Sequence, residues 1–306
     1  MAIDVERNAA PVQRLESVLV RPGELPDVPE FRIASYNAYN LFGDRPDINS
    51  SRPNPPAPEE QLDALAEVIL DLDADAIAFQ EVQNEQTLAE LFRSRVNPKI
   101  KEKEYRFTSF VCIPARDPRG INVALATRLA VNGTLTFHDR EFGPLDERAA
   151  RFSRDLLGVE LFATKAYRFL FFVAHLKSKL GADHGVAKRG LETGEIRTIL
   201  ETPQFGGNAF IAQDLVLCGD MNDDPDSAAV ATLKGNGTTR LIDVLGELRP
   251  SMSFPTHNRY KKTRLDYILA SPTLAISDPK IHTDEDAAPE ASDHYPVSAT
   301  VKVQNP

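Results

Sequence analysis

Six clusters of polar residues in this chain stand where apolar runs end or are interrupted. Asn37 follows FRIASY, Gln80-Glu81 follows AIAF, His175 follows FLFFVA, and Asp220-Met221-Asn222 follows LVLCG. Asp293-His294 precedes the last apolar run, and Asp266 lies inside RLDYILA. Glu81, Asp220, Asp266 and Asp293 supply hard carboxylate oxygens, and Asn37 and Asn222 supply neutral amides. With few Cys or His among the donors, such a set suits Mg²⁺, Mn²⁺ or Ca²⁺ rather than Zn²⁺. Histidine can act as acid, base or cationic clamp near neutral pH. Carboxylates, a hard divalent cation and histidines together make the chemistry of phosphate ester hydrolysis. No Walker loop, GxGxxG, GxSxG elbow or nucleophilic cysteine motif offers a competing chemistry.

Taken singly, each cluster has a structural explanation. Glu81 can be the acid of a following helix N-terminus. Asp220 can be an N-cap, with Asn222 in a turn. His175 can be a hydrogen-bonded core histidine, and Asp293-His294 a turn before Pro296. Asp266 is harder to dismiss. A carboxylate between Leu265 and Tyr267 in a strand needs a partner or water, because an unpaired buried charge costs several kcal/mol. The joint pattern points to a single site, since strand ends at one sheet edge converge and host ligands in α/β folds.

The elements that must position these residues follow from periodicity. FRIASY at 31–36 reads as a strand, followed by a polar, Pro-rich loop over 37–60. Leu62, Leu65, Ala66, Ile69 and Leu72 recur at helical spacing. Ala76–Phe79 reads as a buried strand and 85–95 as a second helix. Strands are predicted at 105–111, 122–128, 131–137, 156–162 and 167–175. The last is almost wholly apolar, as expected of a strand buried on both faces. A helix over 186–201, a strand at 215–219, a short helix at 226–234 and strands at 264–270 and 294–303 complete the chain. The segment 284–290 reads as a solvated acidic loop. Helices and strands alternate in both halves, so the class is α/β, with two sheets. ADAIAFQEVQN and DLVLCGDMND also echo one another weakly, each ending on an acid and an amide.

Composition sets the bounds. The chain has 306 residues and a formal charge of −10, which argues against tight non-specific clamping of polyanions but leaves room for a local basic groove. Two cysteines, Cys112 and Cys218, each in an apolar run, exclude a disulfide scaffold. No apolar run is long enough to span a membrane. The opening MAIDVERNAA lacks the basic-then-apolar pattern of a signal peptide, which favours the cytoplasm, with secretion left open. Residues 1–30 read as an N-terminal arm and 31–306 as one catalytic domain. No protein partner is evident.

The ordered series SYNAYNLF, FQEVQN, HLKSK, GDMND, RLDYIL and SDHYPV resembles the endonuclease/exonuclease/phosphatase superfamily, the deoxyribonuclease I-like proteins. The motifs run from Ser35 to Val297. The resemblance implies a two-sheet, four-layer α/β sandwich of deoxyribonuclease I type and a Mg²⁺- or Mn²⁺-dependent hydrolase, with Ca²⁺ as a further option. It implies Glu81 as principal metal ligand, with Asn37 beside it and Asp293 close by. Asp220 would orient or deprotonate the attacking water and Asn222 would hold the phosphate. His175 would contact the phosphate or assist the leaving group. Asp266 would bond His294, fix its tautomer and keep it cationic, which also accounts for a carboxylate inside a strand. Two departures stand out. Tyr39 occupies the position two residues after Asn37 where many relatives carry a charge, which weakens the case for a second metal there. After His175 comes Leu-Lys-Ser-Lys instead of the asparagine of abasic-site endonucleases, which argues against that repair activity.

Two basic stretches adjoin the motifs. One contains Lys177 and Lys179, with Lys188 and Arg189. The other contains Lys261, Lys262 and Arg264, with Arg259. They are candidate substrate contacts. Arg148, Arg151 and Arg154 form a third group. The absence of Trp advertises no rich stacking platform for bases. The expected function is phosphodiester hydrolysis, foremost of DNA or RNA with little sequence preference. The alternative is a small-molecule, lipid or sugar phosphate ester. A silent binding protein of the same fold is a remote alternative, because Glu81, His175, Asp220 and His294 are all present.

Overall fold

The computed structural model describes residues 13–15, 28–44, 54–143, 150–179, 182–203, 207–248, 263–283 and 288–303. Thirteen strands among the described residues form two sheets. In chain order they are β1 (Gln13–Leu15), β2 (Glu30–Leu41), β3 (Ala76–Val82), β4 (Ser109–Cys112), β5 (Asn122–Thr127), β6 (Ala130–Thr136) and β7 (Leu157–Phe162). They continue with β8 (Arg168–His175), β9 (Leu215–Asp220), β10 (Ile242–Asp243), β11 (Asp266–Ala270), β12 (Ala275–Ile281) and β13 (Val297–Lys302). One sheet has the order β1-β6-β7-β8-β9-β11-β10, the other β12-β13-β2-β3-β5-β4. The helices are α1 (Glu59–Leu72), α2 (Glu85–Leu91), α3 (Ala182–Glu201), α4 (Ala228–Lys234) and α5 (Ala288–Ala291).

Strand alternation assigns the layers. On β2 and β3, Phe31, Ile33, Ala76 and Ala78 face the other sheet, where Phe169, Phe171, Val173, Val216 and Cys218 meet them. The alternate residues Ala34, Tyr36, Ile77 and Phe79 face outward onto Leu65, Ile69 and Leu72 of α1 and Leu88 and Leu91 of α2. On the far side, Leu170, Phe172, Leu215 and Leu217 pack under Ile196, Ile199 and Leu200 of α3 and Val230 and Leu233 of α4. The result is helix, sheet, sheet, helix, the four layers the resemblance implies. Each fully buried Leu, Ile or Phe in these layers contributes roughly 1.5–3 kcal/mol relative to exposure. Both cysteines are buried among apolar neighbours.

Among the described residues, only two strand pairs are parallel, β2 with β3 and β8 with β9. Each is joined by a helix, α1 and α3 respectively, as a parallel crossover requires. The echo between ADAIAFQEVQN and DLVLCGDMND thus has a structural counterpart: β3 and β9 are each the second strand of such a unit, and both end at the same edge of the sandwich.

Several boundaries differ from the sequence reading. β2 continues through the segment read as loop and ends at Leu41, and the pairing with β3 slips between Asn37 and Leu41. The bulge lets polar residues sit on a strand without breaking the sheet. The second helix stops at Leu91 and is followed by a π turn over Phe92–Val96. Residues 13–15 of the arm pair with β6, and β10 and β12 were too short or too polar to read as strands. Ala288–Ala291, within the segment read as a loop, forms one helical turn.

Gly219 on β9 pairs with Ala174 on β8 and leaves no room for a side chain. Its φ is +146°, and a Cβ there would lie 1.9 Å from the carbonyl oxygen of Ala174. That backbone neighbour cannot rotate away. Gly219→Ala should therefore cost about 3 kcal/mol or more, combining overpacking with backbone strain. Urea unfolding of wild type and variant measures this directly, and an unchanged midpoint would show that the close approach is not required.

Candidate active site

The register of three adjacent strands sets one half of the site. His175 on β8 pairs with Asp220 on β9, and Asp220 pairs with Asp266 on β11. The other half comes from the second sheet. Asn37 lies beside Gln80 across β2 and β3, and Asp293-His294 immediately precedes β13, whose first residue pairs with Ser35. Ser292 Oγ donates to the Asn37 carbonyl at 2.7 Å and accepts from the His294 N–H at 3.1 Å, tying the two segments together.

The two halves meet at Asp220. Its Oδ2 receives Asn37 Nδ2 at 3.2 Å and Asn222 Nδ2 at 3.3 Å. His175 Nε2 lies 3.4 Å and His294 Nε2 3.7 Å from the same oxygen. Oδ1 accepts from the Asn222 N–H at 2.9 Å. The Tyr39 N–H donates to Asn37 Oδ1 at 3.0 Å, which fixes the amide so that its NH₂ faces Asp220. Behind His294, Asp266 Oδ2 lies 2.8 Å from Nδ1, so the pairing expected of these two residues is present in the geometry.

The backbone around these groups is unusual. Six non-glycine residues among those described have positive φ, and four of them are Tyr39, Asn40, Glu81 and Asn222. Such conformations cost about 1–3 kcal/mol each and cluster at functional sites. Pairing of β3 with β5 also slips between Phe79 and Val82, so Glu81 sits in a bulge. Its Oε2 accepts from the Asn40 N–H at 3.1 Å.

Charges follow from this packing. Burial alone would lower the pKa of His294, but the facing carboxylates of Asp266, Asp220 and Asp293 outweigh it and lift the group to about 10. His175 goes the other way: burial, reinforced by the nearby Arg154 guanidinium, holds it well below the usual histidine range. The two histidines are therefore unlike, one a cation and one neutral. Burial pushes Asp220 up to about 7, against the pull of the His294 charge, and the nearby Asp266 and Glu81 carboxylates add to the rise. Asp293 is raised by burial and by Glu81, with His294 opposing.

Glu81 thus repels both Asp220 and Asp293 in a partly desolvated space, which favours a cation. Among the described residues, no three His, Cys, Asp or Glu side chains form a ready metal cage. A donor set of one or two carboxylates, an amide oxygen and water is what Mg²⁺ accepts, whereas a closed cage would suit Zn²⁺. Glu81, Asn37 and Asp293 fit the former.

The predicted substrate contacts fare differently. Arg264 is 1% exposed, its guanidinium pairs with both oxygens of Asp243, and it stacks 4.2 Å over the Tyr267 ring. It braces β11 and does not face a substrate, because a bidentate partner and an aromatic face already consume it. Arg189 is similarly buried and bonded to Asp223 and the Lys177 carbonyl. Lys179 Nζ lies 2.6 Å from Asp224 Oδ2, which offsets its charge. Lys177 stands directly after His175-Leu176. Lys261 and Lys262, with Arg259, lie outside the described residues.

Sequence reading missed the support beneath the site. Glu192 on α3 accepts from the Ser153 N–H at 2.7 Å and the Lys177 N–H at 2.8 Å. Arg154 NH1 and Asn222 Nδ2 both donate to the Leu176 carbonyl, at 3.1 and 3.0 Å. Arg154 is buried, its Nε 3.0 Å from Asp117 Oδ2. The available signal was the poor apolar periodicity of α3, whose inner face carries Arg189, Glu192, Thr193 and Arg197.

A histidine whose pKa is raised on folding stabilises the folded state below its unfolded pKa and loses that contribution as pH rises through the folded value. For His294 the loss falls between about pH 6.5 and 10. Stability should decline over this window, and the decline should move to lower pH in Asp266→Asn. Denaturant midpoints against pH, with an NMR titration of the imidazole, measure it. A His294 that titrates near 6.5 in wild type would contradict the pairing.

The sequence profile described as the Endonuclease/Exonuclease/phosphatase family matches residues 34–294. Curated proteins give no sequence match. Solved structures do match. A family protein from Leptotrichia buccalis C-1013-b superposes with a TM-score of 0.60 at 17% identity, covering 89% of this chain and 100% of the other. D. rerio TDP2 humanized by 14 mutations gives 0.59 at 16% identity, covering 90% and 100%. ANGEL2, a 2′,3′-cyclic phosphatase solved with adenosine-2′,3′-vanadate, gives 0.60 at 15% identity, covering 97% and 99%. At these identities the structures establish the shared fold, and the profile spans every motif from Asn37 to His294; the chain belongs to the endonuclease/exonuclease/phosphatase family.

Proposed function

We propose that the protein is a divalent-metal-dependent phosphodiester hydrolase and that the residues around Asp220 perform the reaction. The observation that carries this reading is the convergence of His175 Nε2, at 3.4 Å, and His294 Nε2, at 3.7 Å, on one oxygen of the buried Asp220 carboxylate. Glu81, Asn37 and Asp293 would hold the metal. When bound, Mg²⁺ or Mn²⁺ supplies Lewis-acid stabilisation of charge on the phosphoryl group. The protein's own groups do the rest. His294, kept charged by Asp266, offers its Nε2–H to a phosphoryl oxygen. Asp220 orients the attacking water and accepts its proton, a role helped by a pKa lifted toward neutrality. Asn222 orients the Asp220 carboxylate through its amide and its backbone N–H, and the phosphate contact expected of it requires the amide to leave the Leu176 carbonyl. His175, neutral, contacts the phosphate or assists the departing oxygen.

Nucleic acid is the leading substrate, supported by the family and by the fold neighbour solved with adenosine-2′,3′-vanadate. A specific observation favours a second reading, a small phosphodiester. Arg264 and Arg189 are buried in structural pairs, and Lys179 is paired with Asp224, so the two basic stretches supply less free cation than their sequence suggests. Rate against salt separates the two. A polymer substrate gives a steep decline with salt, and a small diester a shallow one.

EDTA should abolish hydrolysis of bis-p-nitrophenyl phosphate and of plasmid DNA, and Mg²⁺ or Mn²⁺ should restore it. Glu81→Gln keeps the shape but removes the charge, so it should raise the metal concentration required. Full turnover in EDTA would overturn the mechanism, and an unchanged metal requirement in Glu81→Gln would make Glu81 structural.

A further inference from the structure

Tyr39 is one of four large hydrophobic side chains exposed among the described residues, at 46%. Its position is not ordinary surface. It lies between Asn37, whose Oδ1 receives its N–H, and Asn40, whose N–H reaches Glu81. Both Tyr39 and Asn40 are left-handed, with φ of 49° and 56°. Left-handed geometry is rare for a bulky residue and would be relieved by glycine. The loop is nevertheless held firmly. Gln61 on α1 donates its amide to the carbonyls of Ala38 at 3.2 Å, Tyr39 at 2.8 Å and Ala291 at 3.3 Å. Ala291 leads directly into Ser292, Asp293 and His294. One side chain thus ties the Tyr39 backbone to both the Asn37 strand and the His294 segment, while the ring, two residues from Asn37, stays half-exposed.

We propose that Tyr39 is a substrate-contacting specificity residue that stacks on an aromatic group carried next to the scissile phosphate. This rests on the hydrolase reading and names its substrate class: diesters whose substituent is a nucleobase or an aryl ring. An aromatic ring on a rigid, strained support loses little freedom on stacking, and its π face accepts any base without reading its edges.

The test compares wild type, Tyr39→Phe and Tyr39→Leu on three diesters with Mg²⁺: a dinucleotide, the same diester with abasic sugars, and bis-p-nitrophenyl phosphate. In Tyr39→Leu, kcat/KM should fall about tenfold further for an aromatic-bearing diester than for the abasic one, while Tyr39→Phe keeps the wild-type discrimination. Excess loss on the dinucleotide identifies the group as a nucleobase; excess loss confined to the nitrophenyl diester identifies it as an aryl ring. Calorimetric titration in EDTA with a nucleoside 5′-monophosphate, phenyl phosphate and ribose 5-phosphate gives a readout without turnover. Wild type should prefer an aromatic monophosphate, and Tyr39→Leu should lose that preference. Equal losses on all three diesters, or no aromatic preference in wild-type binding, would overturn the proposal. Failure of wild type to cleave any diester, with the binding preference intact, would overturn the hydrolase reading and leave the stacking contact standing.

Discussion

The site depends on one buried oxygen. Asp220 Oδ2 draws in an amide from each sheet and a histidine from either side. A carboxylate taken so far out of water is costly unless it is surrounded by donors, and the surrounding donors are what fix its direction. The same requirement accounts for neighbouring features. Gly219 lets β9 come close enough to β8 for His175 to reach it. The bulge in β2 lets the Asn37 amide turn toward it while the sheet continues to Leu41. Asp266 supplies the second negative charge that holds His294 in its cationic form.

Around this centre the molecule separates two kinds of charge. Arg264, Arg189 and Arg154 are buried and bonded, and they brace loops. Glu192 does the same from α3, clasping the segments that carry Arg154 and Lys177. Among the described residues, the groups proposed to act on a ligand are Glu81, Asn37, Asp293, Asp220, Asn222, the two histidines and Tyr39. Support and chemistry are thus assigned to different residues, even where they share a sequence stretch. Preorganised donors of this kind stabilise developing charge without reorganising during the reaction, which is where enzymes gain most.

Much of this was legible in the sequence. The layered α/β class followed from alternating apolar periods, and the polar residues at strand ends pointed to one sheet edge. A carboxylate inside RLDYILA, at Asp266, demanded a partner, and the structure brings it to His294. Three things were not legible. Basic residues near a motif do not reveal whether they face solvent, and Arg264 is spent on Asp243 and Tyr267. Bulges hide strands, because Tyr39 and Asn40 look like loop residues yet lie within β2. Short edge strands such as β10 and β12 carry little apolar pattern, because only one side of each is paired.

The most direct test of the account is Asp220→Asn, which preserves shape and most hydrogen-bonding positions but removes the charge between the two histidines. Cleavage of bis-p-nitrophenyl phosphate with saturating Mg²⁺ should fall by about 10²–10⁴ in kcat, with circular dichroism unchanged. Turnover within a few fold of wild type would contradict the placement of the reaction at this carboxylate.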